Sequence, residues 1–474
     1  MSRKIILLCI SYFIFNVKSN AQPTPFQKSF GDSLYNEFGI SVIQLNSGSI
    51  FFCGYKYNVQ LLSEITLSKL DMNGNILWQQ YYNDSAQSLS SGNMIYHNNS
   101  FYIAGQTMYQ NGNVDALVLK IDTAGNLIWQ KKYGGLSANE SFACIEADSV
   151  YGFMCSGFAT ASTGSGNDIY IARLDTNGNL NWAANYGSLL NDVSMAIKRT
   201  PDGNFILSGD KLVPASSDYN AYVLKIDSAG NTIWDADIVN SFNSGCRNIM
   251  VNHDGDYILV GESATPTSSY FDVLVSKISQ AGSVQWAKTI PATDLGDAGF
   301  SIIEPVPDHY LVTGYGYNMN DSSTDVVLLH IDSGGNEISK RYYGFDQLDF
   351  GFEISHSVYG GFLIAGTNYG LDNQYYLIYD TISIPVAVNE MANSQNNFHA
   401  YPNVLTGGSI LYFNKALRNF SVTVFDPVGK NIYYDFIKEA TTQYSFKTFL
   451  ASGFYMLKIS SENSDYTRKI IFRK

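Results

Sequence analysis

The chain of 474 residues lacks most of what marks a membrane protein, a metalloenzyme or a hydrolase. Its N-terminal apolar stretch, Ile5–Phe15, is too short to cross a bilayer, and nothing further along approaches one, so no transmembrane segment is expected. The five cysteines and six histidines form neither a CxxC pair nor a mixed Cys/His cluster, which removes the cysteine-rich zinc centres. GxSxG, HExxH and phosphate-loop motifs are missing, and no Ser/His/Asp or Cys/His set converges. Basic residues are scarce, with Lys+Arg 29 against Asp+Glu 42. Without a basic patch to neutralise phosphates, nucleic acid is not an expected partner.

Tryptophan is scarce as well, but it is placed on a grid. The five tryptophans, Trp78, Trp129, Trp182, Trp234 and Trp286, are separated by 51, 53, 52 and 52 residues. Each except Trp286 closes a phrase such as VLKIDTAGNLIW, Val118 to Trp129, in which an Asp begins the turn; Ser279 takes that Asp register in the fifth copy. A glycine ending an apolar run recurs seven times, at Gly54, Gly105, Gly157, Gly209, Gly261, Gly314 and Gly366. Self-similarity at this period marks a propeller or a solenoid. Within a unit the apolar period is two, Pro201-Asp202-Gly203 forms a hairpin turn, and Asp-x-x-Gly forms a second. Four strands per unit and no helical stretch describe a propeller blade. Phe30-Gly31 ends a phrase matching Tyr133-Gly134, with Phe26 in the tryptophan register, whereas Tyr376–Asp380 ends without a fourth strand. Pairing these ends predicts an all-β, seven-bladed β-propeller over residues 22–381, closed by its N-terminal strand and hiding both sheet edges. The tryptophans then read as inter-blade packing. Ser339 stands in their register in the sixth blade, where the weakest junction is expected.

Both ends carry address labels. Residues 1–21 read as a signal peptide: Arg3 and Lys4, the apolar stretch, then Ser19-Asn20-Ala21 as a small-residue cleavage site. An exported chain can form disulfides, and Cys144 and Cys155 flank one expected hairpin, where a bridge and two free buried thiols are both open. After Asp380 the period stops. Residues 382–398 read as a linker and 399–474 as a small C-terminal β-sandwich. Its phrases are Tyr401-Pro402-Asn403, Asp426-x-x-Gly429-Lys430 and Leu450-x-x-Gly453-x-Tyr455, followed by a basic tail. This module resembles the type A sorting domain that ends proteins exported by the type IX secretion system of Bacteroidetes, with Val404 in place of a second proline. The resemblance implies the type IX secretion machinery as a partner, passage through the periplasm, and release or attachment at the outer cell surface. The repeats are also similar to those of secreted seven-bladed propellers that carry such tails.

The charge is divided unevenly. From His399 onward ten Lys or Arg face five Asp or Glu, a balance of +5, which leaves −21 on residues 22–398. Five acids share one register at the entry to the first strand: Glu37, Glu140, Asp192, Asp297 and Asp349, with Ser88 and Ser244 in the other two copies. A second register, Glu64, Asp115, Asp168, Asn220, Asp272 and Asp325, precedes the third strand on the same face. Clustered carboxylates suit a hard cation such as Ca2+; alternatively each acid caps the backbone of its own turn. Long loops on that face carry tyrosines, among them Tyr57, Tyr109, Tyr270 and Tyr317, and such side chains suit an extracellular glycan or protein ligand. The expected function is a non-catalytic extracellular binding or adhesion propeller. The alternative is a surface glycan-active enzyme, a glycosidase or lyase, using the acids at the channel mouth.

Overall fold

A computed structural model describes residues 23–381 and 400–473, apart from 33, 58–61, 85–86, 136–138, 149–150, 161–165, 189, 215–217, 239–242, 266–267, 294, 319–322, 346–347, 371–372, 402–403, 407–409, 426–430, 446–452 and 462–463. Among the described residues every regular element is a β-strand, and there is no helix to cross a membrane. The chain divides into two compact units, Met1–Ser383 and Ile384–Lys474.

In the first unit each repeat folds into an antiparallel meander of four strands, the sheet type of propeller blades. The fourth meander is typical: Asp192–Arg199, Phe205–Leu212, Tyr219–Ile226 and Thr232–Ile238 pair in sequence order. Five such sheets, the first to fifth meanders, begin at Asn36, Gln87, Glu140, Asp192 and Ser244. An eight-stranded sheet holds two more meanders, beginning at Asp297 and Leu348 and joined by one parallel pair, Thr324 with Leu348. Among the described residues no sheet closes on itself. The last meander takes its fourth strand from the N-terminus, as Phe26–Phe30 pairs antiparallel with Gln374–Asp380, Phe26 opposite Tyr379.

Meanders pack face to face through Val, Ile, Leu and Tyr side chains that alternate along the two central strands, each fully buried residue worth about 1.5–3 kcal/mol. Val223, Ile206 and Ile238 of the fourth meander, for instance, meet Ile249, Leu259 and Leu274 of the fifth. The same kind of cluster joins the first meander to the last, where Val42, Phe52 and Leu70 meet Leu363, Tyr375 and Leu377.

The tryptophans act at these junctions. Gly178 of the third meander adopts φ +74°, and a Cβ there would lie 2.6 Å from the Trp129 ring of the second. Only glycine satisfies both the left-handed backbone and the close approach. Tyr133, four residues after Trp129, donates its hydroxyl to the Gly178 carbonyl at 2.7 Å. Trp78 with Tyr82 grips Gly125, and Trp182 with Tyr186 grips Gly230, in the same way. Phe26 lies against Gly74 as the tryptophan register predicts. At Ser339 the clasp is polar instead: Asp380 accepts the Tyr343 hydroxyl at 2.8 Å and the Arg341 guanidinium at 2.9 Å.

One regularity escaped the sequence reading. Every first strand carries a β-bulge at the same register, leaving Ile40, Ala143, Met195, Arg247, Phe300 and Phe352 outside the pairing, with Gly92 and Asn93 doing so in the second meander. A bulge bends its strand and re-aims a side chain. Cys53, Cys144, Cys155 and Cys246 are buried free thiols. Cys144 packs toward the fourth meander and Cys155 toward the second, so the two thiols point to opposite sides of their sheet.

The second unit is also all-β. One sheet pairs Ala400–Tyr401, Ile410–Leu417 and Thr441–Ser445; the other orders Val404–Thr406, Ser464–Arg473, Gly453–Ser461, Phe420–Phe425 and Asn431–Ile437. Phe420, Val422, Val424, Leu457 and Ile459 are buried there.

Candidate functional site

The five acids of the first-strand register lie below the surface. Asp192, Asp297 and Asp349 are 0% exposed, Glu37 1% and Glu140 8%, out of reach of a large ligand in solution. Their oxygens face the turn that leads into their own strand. Asp297 accepts the backbone N–H groups of Ala292 and Thr293, both at 2.7 Å, and the Thr293 hydroxyl at 2.5 Å. Asp349 accepts the Phe345 N–H at 2.8 Å and the Asn368 amide at 2.6 Å. Glu37 accepts the Asp32 N–H at 3.1 Å, Asp192 that of Ser188, and Glu140 that of Gly135.

Burial pushes Glu37 up to about 8 and Asp349 to about 6, against the pull of these hydrogen bonds. Glu140 and Asp297 are raised for the same reason. The second acidic register lies across each junction from the first. Asp168 is raised by burial and then by the charge of Asp192, and Asp272 by burial and then by Asp297. Asp192 Oδ1, Asp168 Oδ1 and Glu140 Oε2 are buried without a hydrogen-bond partner.

Next to these acids along the first strands lies a feature that does not repeat. Phe38 stacks on Tyr55 and Tyr57, with ring centroids 5.0 and 5.8 Å apart, and meets Tyr369 edge-on at 5.5 Å. Tyr369 meets Phe350 at 5.0 Å, and Phe350 meets Tyr315 at 5.0 Å and Phe352 at 6.2 Å. Phe300 closes the group against Tyr315 and Phe352, at 5.6 and 5.3 Å. These eight half-buried rings form one continuous band on the first and second strands of the sixth, seventh and first meanders. Two of them, Phe300 and Phe352, are the bulge residues. In the fifth meander the bulge residue is Arg247, which pairs with Glu262 and, at 3.6 Å, with Asp210. Burial raises the Tyr315 hydroxyl, and the nearby Glu262 charge adds to this, so the band borders a charged patch.

Of the loop tyrosines, Tyr57 belongs to the band. Tyr109 does not: its hydroxyl donates to Asp115 at 2.6 Å, the main reason it is pushed up to about 12. Tyr270 is 52% exposed beside Gly296, and the Tyr317 backbone N–H donates to the Gly296 carbonyl. The sequence reading missed Phe38, Phe300, Phe350 and Phe352. Their signal was Phe-Gly-Phe at 350–352 and the single Phe residues one or three positions after the register acid in sibling copies.

In the second unit Gly453 and Tyr455 pair with Phe472 and Ile470, and Tyr401 pairs with Tyr412. Pro402, Asn403, Asp426, Gly429 and Lys430 lie outside the described residues, as does the signal peptide at 1–21.

The two units together define an all-β repeat protein with a separate C-terminal export module. Residues 399–473 match the family described as the secretion system C-terminal sorting domain, a type IX sorting tail that indicates export by that system and implies secretion with cell-surface attachment. No curated protein matches the chain. Among solved structures, a catalytically inactive variant of virginiamycin B lyase from Staphylococcus aureus with quinupristin is 13% identical, with a TM-score of 0.44 over 75% of this chain and 100% of that one. PorZ, a surface component of the type IX secretion system of Porphyromonas gingivalis, is 12% identical, with a TM-score of 0.34 over 90% and 68%. The β-propeller domain of the trilobed protease from Pyrococcus furiosus is 8% identical, with a TM-score of 0.43 over 73% and 94%.

Proposed function

We propose that this protein is an exported, non-catalytic binding or adhesion propeller that displays the aromatic band to an extracellular glycan or protein. In this reading the signal peptide takes the chain to the periplasm and the sorting tail takes it across the outer membrane. The seven meanders close into a seven-bladed ring over residues 22–381. Closure is supported by the pairing of Phe26–Phe30 with Gln374–Asp380 and by the hydrophobic cluster between the first and last meanders.

The observation that carries the binding role is the band itself. The scaffold contacts recur copy after copy, whereas the bulge register changes from Ile40 to Ala143, Met195, Arg247, Phe300 and Phe352. Rings held edge-to-face and stacked on rigid strands offer flat apolar faces at low entropic cost, which suits sugar rings or a partner's aromatic side chains. The buried acids fix the turns that lead into these strands. The glycan-active alternative needs two carboxyl groups that reach the substrate, whereas the five register acids are 0–8% exposed.

A binding screen of the full-length protein against glycans and cell-surface proteins tests this reading. Phe38→Ala with Tyr369→Ala is expected to weaken binding of any ligand found by about tenfold or more. Turnover of a polysaccharide, or binding indifferent to both substitutions, would overturn it.

A further inference from the structure

The histidines at the other end of the first strands take no part in the aromatic surface, and one lies among carboxylates from two meanders. His253 and Asp254 occupy the turn between the first and second strands of the fifth meander; Asp308 occupies the equivalent turn of the sixth. One ligand atom from each lies within 4.8 Å of the others. The imidazole is oriented from behind. Its Nδ1 lies 2.7 Å from Glu304 Oε1, while Glu304 Oε2 accepts the His253 backbone N–H at 2.7 Å. Glu304 Oε1 also accepts the Asp308 N–H at 3.0 Å, so this nearly buried carboxylate ties the two turns together. With Nδ1 engaged, Nε2 faces Asp254 Oδ1 at 3.1 Å. A carboxylate that fixes one imidazole nitrogen so that the other can bind a metal is the usual support of a histidine ligand.

The neighbouring repeats supply an independent observation. In the third and fourth meanders a third-strand cation crosses to an acid at or beside this turn: Arg173 to Asp148 at 2.6 Å, and Lys225 to Asp202 at 2.7 Å. In the fifth meander Lys277 instead approaches Asp256, at 3.5 Å, and passes over Asp254, the counterpart of Asp202. In the sixth meander the lysine register holds His330, which contacts His309 at 2.9 Å and leaves Asp308 without a lysine. Among the described residues neither Asp254 nor Asp308 pairs with a lysine or arginine. The repeat has therefore withdrawn its own cation at the two carboxylates that flank an oriented imidazole.

We infer that His253 Nε2, Asp254 and Asp308 bind a divalent transition metal of the zinc class across the turns of the fifth and sixth meanders, with Glu304 as the positioning residue. One nitrogen and two carboxylate oxygens suit Zn2+, whose bonds to these atoms are about 2.0–2.2 Å and whose fourth position water can fill. Closing from separations of up to 4.8 Å requires only rotation of the exposed Asp254 and half-buried Asp308 side chains. This site is separate from the acidic register proposed for Ca2+ and from the aromatic band, and it stands whether or not the band binds a ligand.

The test is equilibrium dialysis of the metal-free, full-length protein against Zn2+, with metal counted by mass spectrometry and geometry read from the visible spectrum after Co2+ substitution. One bound ion per chain is expected, with an intense tetrahedral Co2+ spectrum. His253→Ala and Asp308→Asn should each weaken binding at least tenfold. His97→Ala, at the corresponding turn of the second meander, should leave binding unchanged. Thermal melts of the metal-free variants identify any that fail to fold. For those, Asp254→Asn, which alters only a side chain 54% exposed, provides the second variant. No stoichiometric uptake, or uptake indifferent to His253, Asp254 and Asp308, would overturn the assignment.

Discussion

Asp122 and Asp349 are both carboxylates of the same repeat, yet their surroundings drive them in opposite directions. Asp122 opens the turn before the fourth strand of its meander. It accepts the side-chain amide of Asn126 and then the backbone N–H groups of Asn126 and Ala124, at 2.8–2.9 Å, and these bonds lower its pKa. Asp349 opens the first strand of its meander, and burial lifts it to about 6 despite two hydrogen bonds. The turn aspartates Asp71, Asp175, Asp227 and Asp332 follow Asp122, whereas Glu37, Glu140 and Asp297 follow Asp349. A repeated acid is thus no guide to its own chemistry. Solvent and the number of N–H donors decide whether it is an anion that holds a turn or a carboxyl that favours its proton.

The largest effect should come from the turn set, because its geometry is also the seat of the tryptophan clasp. Gly178→Ala places a Cβ in the left-handed region and 2.6 Å from the Trp129 ring. We expect a loss of about 2–4 kcal/mol in urea unfolding. Loss below about 0.5 kcal/mol would mean that the clasp does not hold the junction. Asp297→Asn should cost less, about 1–2 kcal/mol, because the amide keeps one acceptor for the Ala292 and Thr293 N–H groups while turning a donor toward the Thr293 hydroxyl.

A pH series separates the two sets directly. Glu37 holds its proton in the folded state up to about 8, against an ordinary value near 4.5. Its stabilisation is therefore complete below about 4.5 and is lost as the pH rises toward 8. The lowered Asp122 does the reverse: its contribution is present above its ordinary value of 3.8 and is lost as the pH falls through its depressed folded value. Melting temperatures between pH 3 and pH 9 should show Glu37→Gln flattening the decline on the alkaline side. Asp122→Asn should flatten only the acid side. If either substitution changed both limbs equally, the contrast would fail.

The same contrast explains what the sequence could and could not reveal. The period of tryptophans, glycines and turn aspartates makes the four-stranded meander legible, because each marker is a local requirement: φ +74° at Gly178, or the N–H groups collected by Asp122. Phe26 in the tryptophan register is legible for the same reason. The depth of Glu37 and Asp349 is not, since burial depends on how neighbouring meanders cover a residue, and a register shared with serine in two copies gives no sign of it. The aromatic band was hidden because its rings come from three meanders, and only the packing of those meanders brings Phe38 against Tyr369 and Phe300 against Phe352. The His253 turn was hidden because its two aspartates are brought together only by the packing of successive meanders.

The smallest effect, and the sharpest test of the buried set, is the response to Ca2+. The carboxylate oxygens of Asp297 and Asp349 already accept backbone or side-chain donors, and a cation there would have to displace them. Asp168 and Asp192 differ, since Asp168 Oδ1 and Asp192 Oδ1 are both buried without a partner. Burial and then the charge of Asp192 raise Asp168, so its carboxyl favours a proton over a metal. Adding millimolar Ca2+ to the metal-free protein at neutral pH should then move its melting temperature by less than about 1 °C, because a ligand stabilises only through binding to the folded state. A rise of several degrees that disappears in Asp192→Asn would place a cation where the proton is assigned, and would join the Asp168 and Asp192 pair to the ligand-binding parts of the molecule rather than to its scaffold.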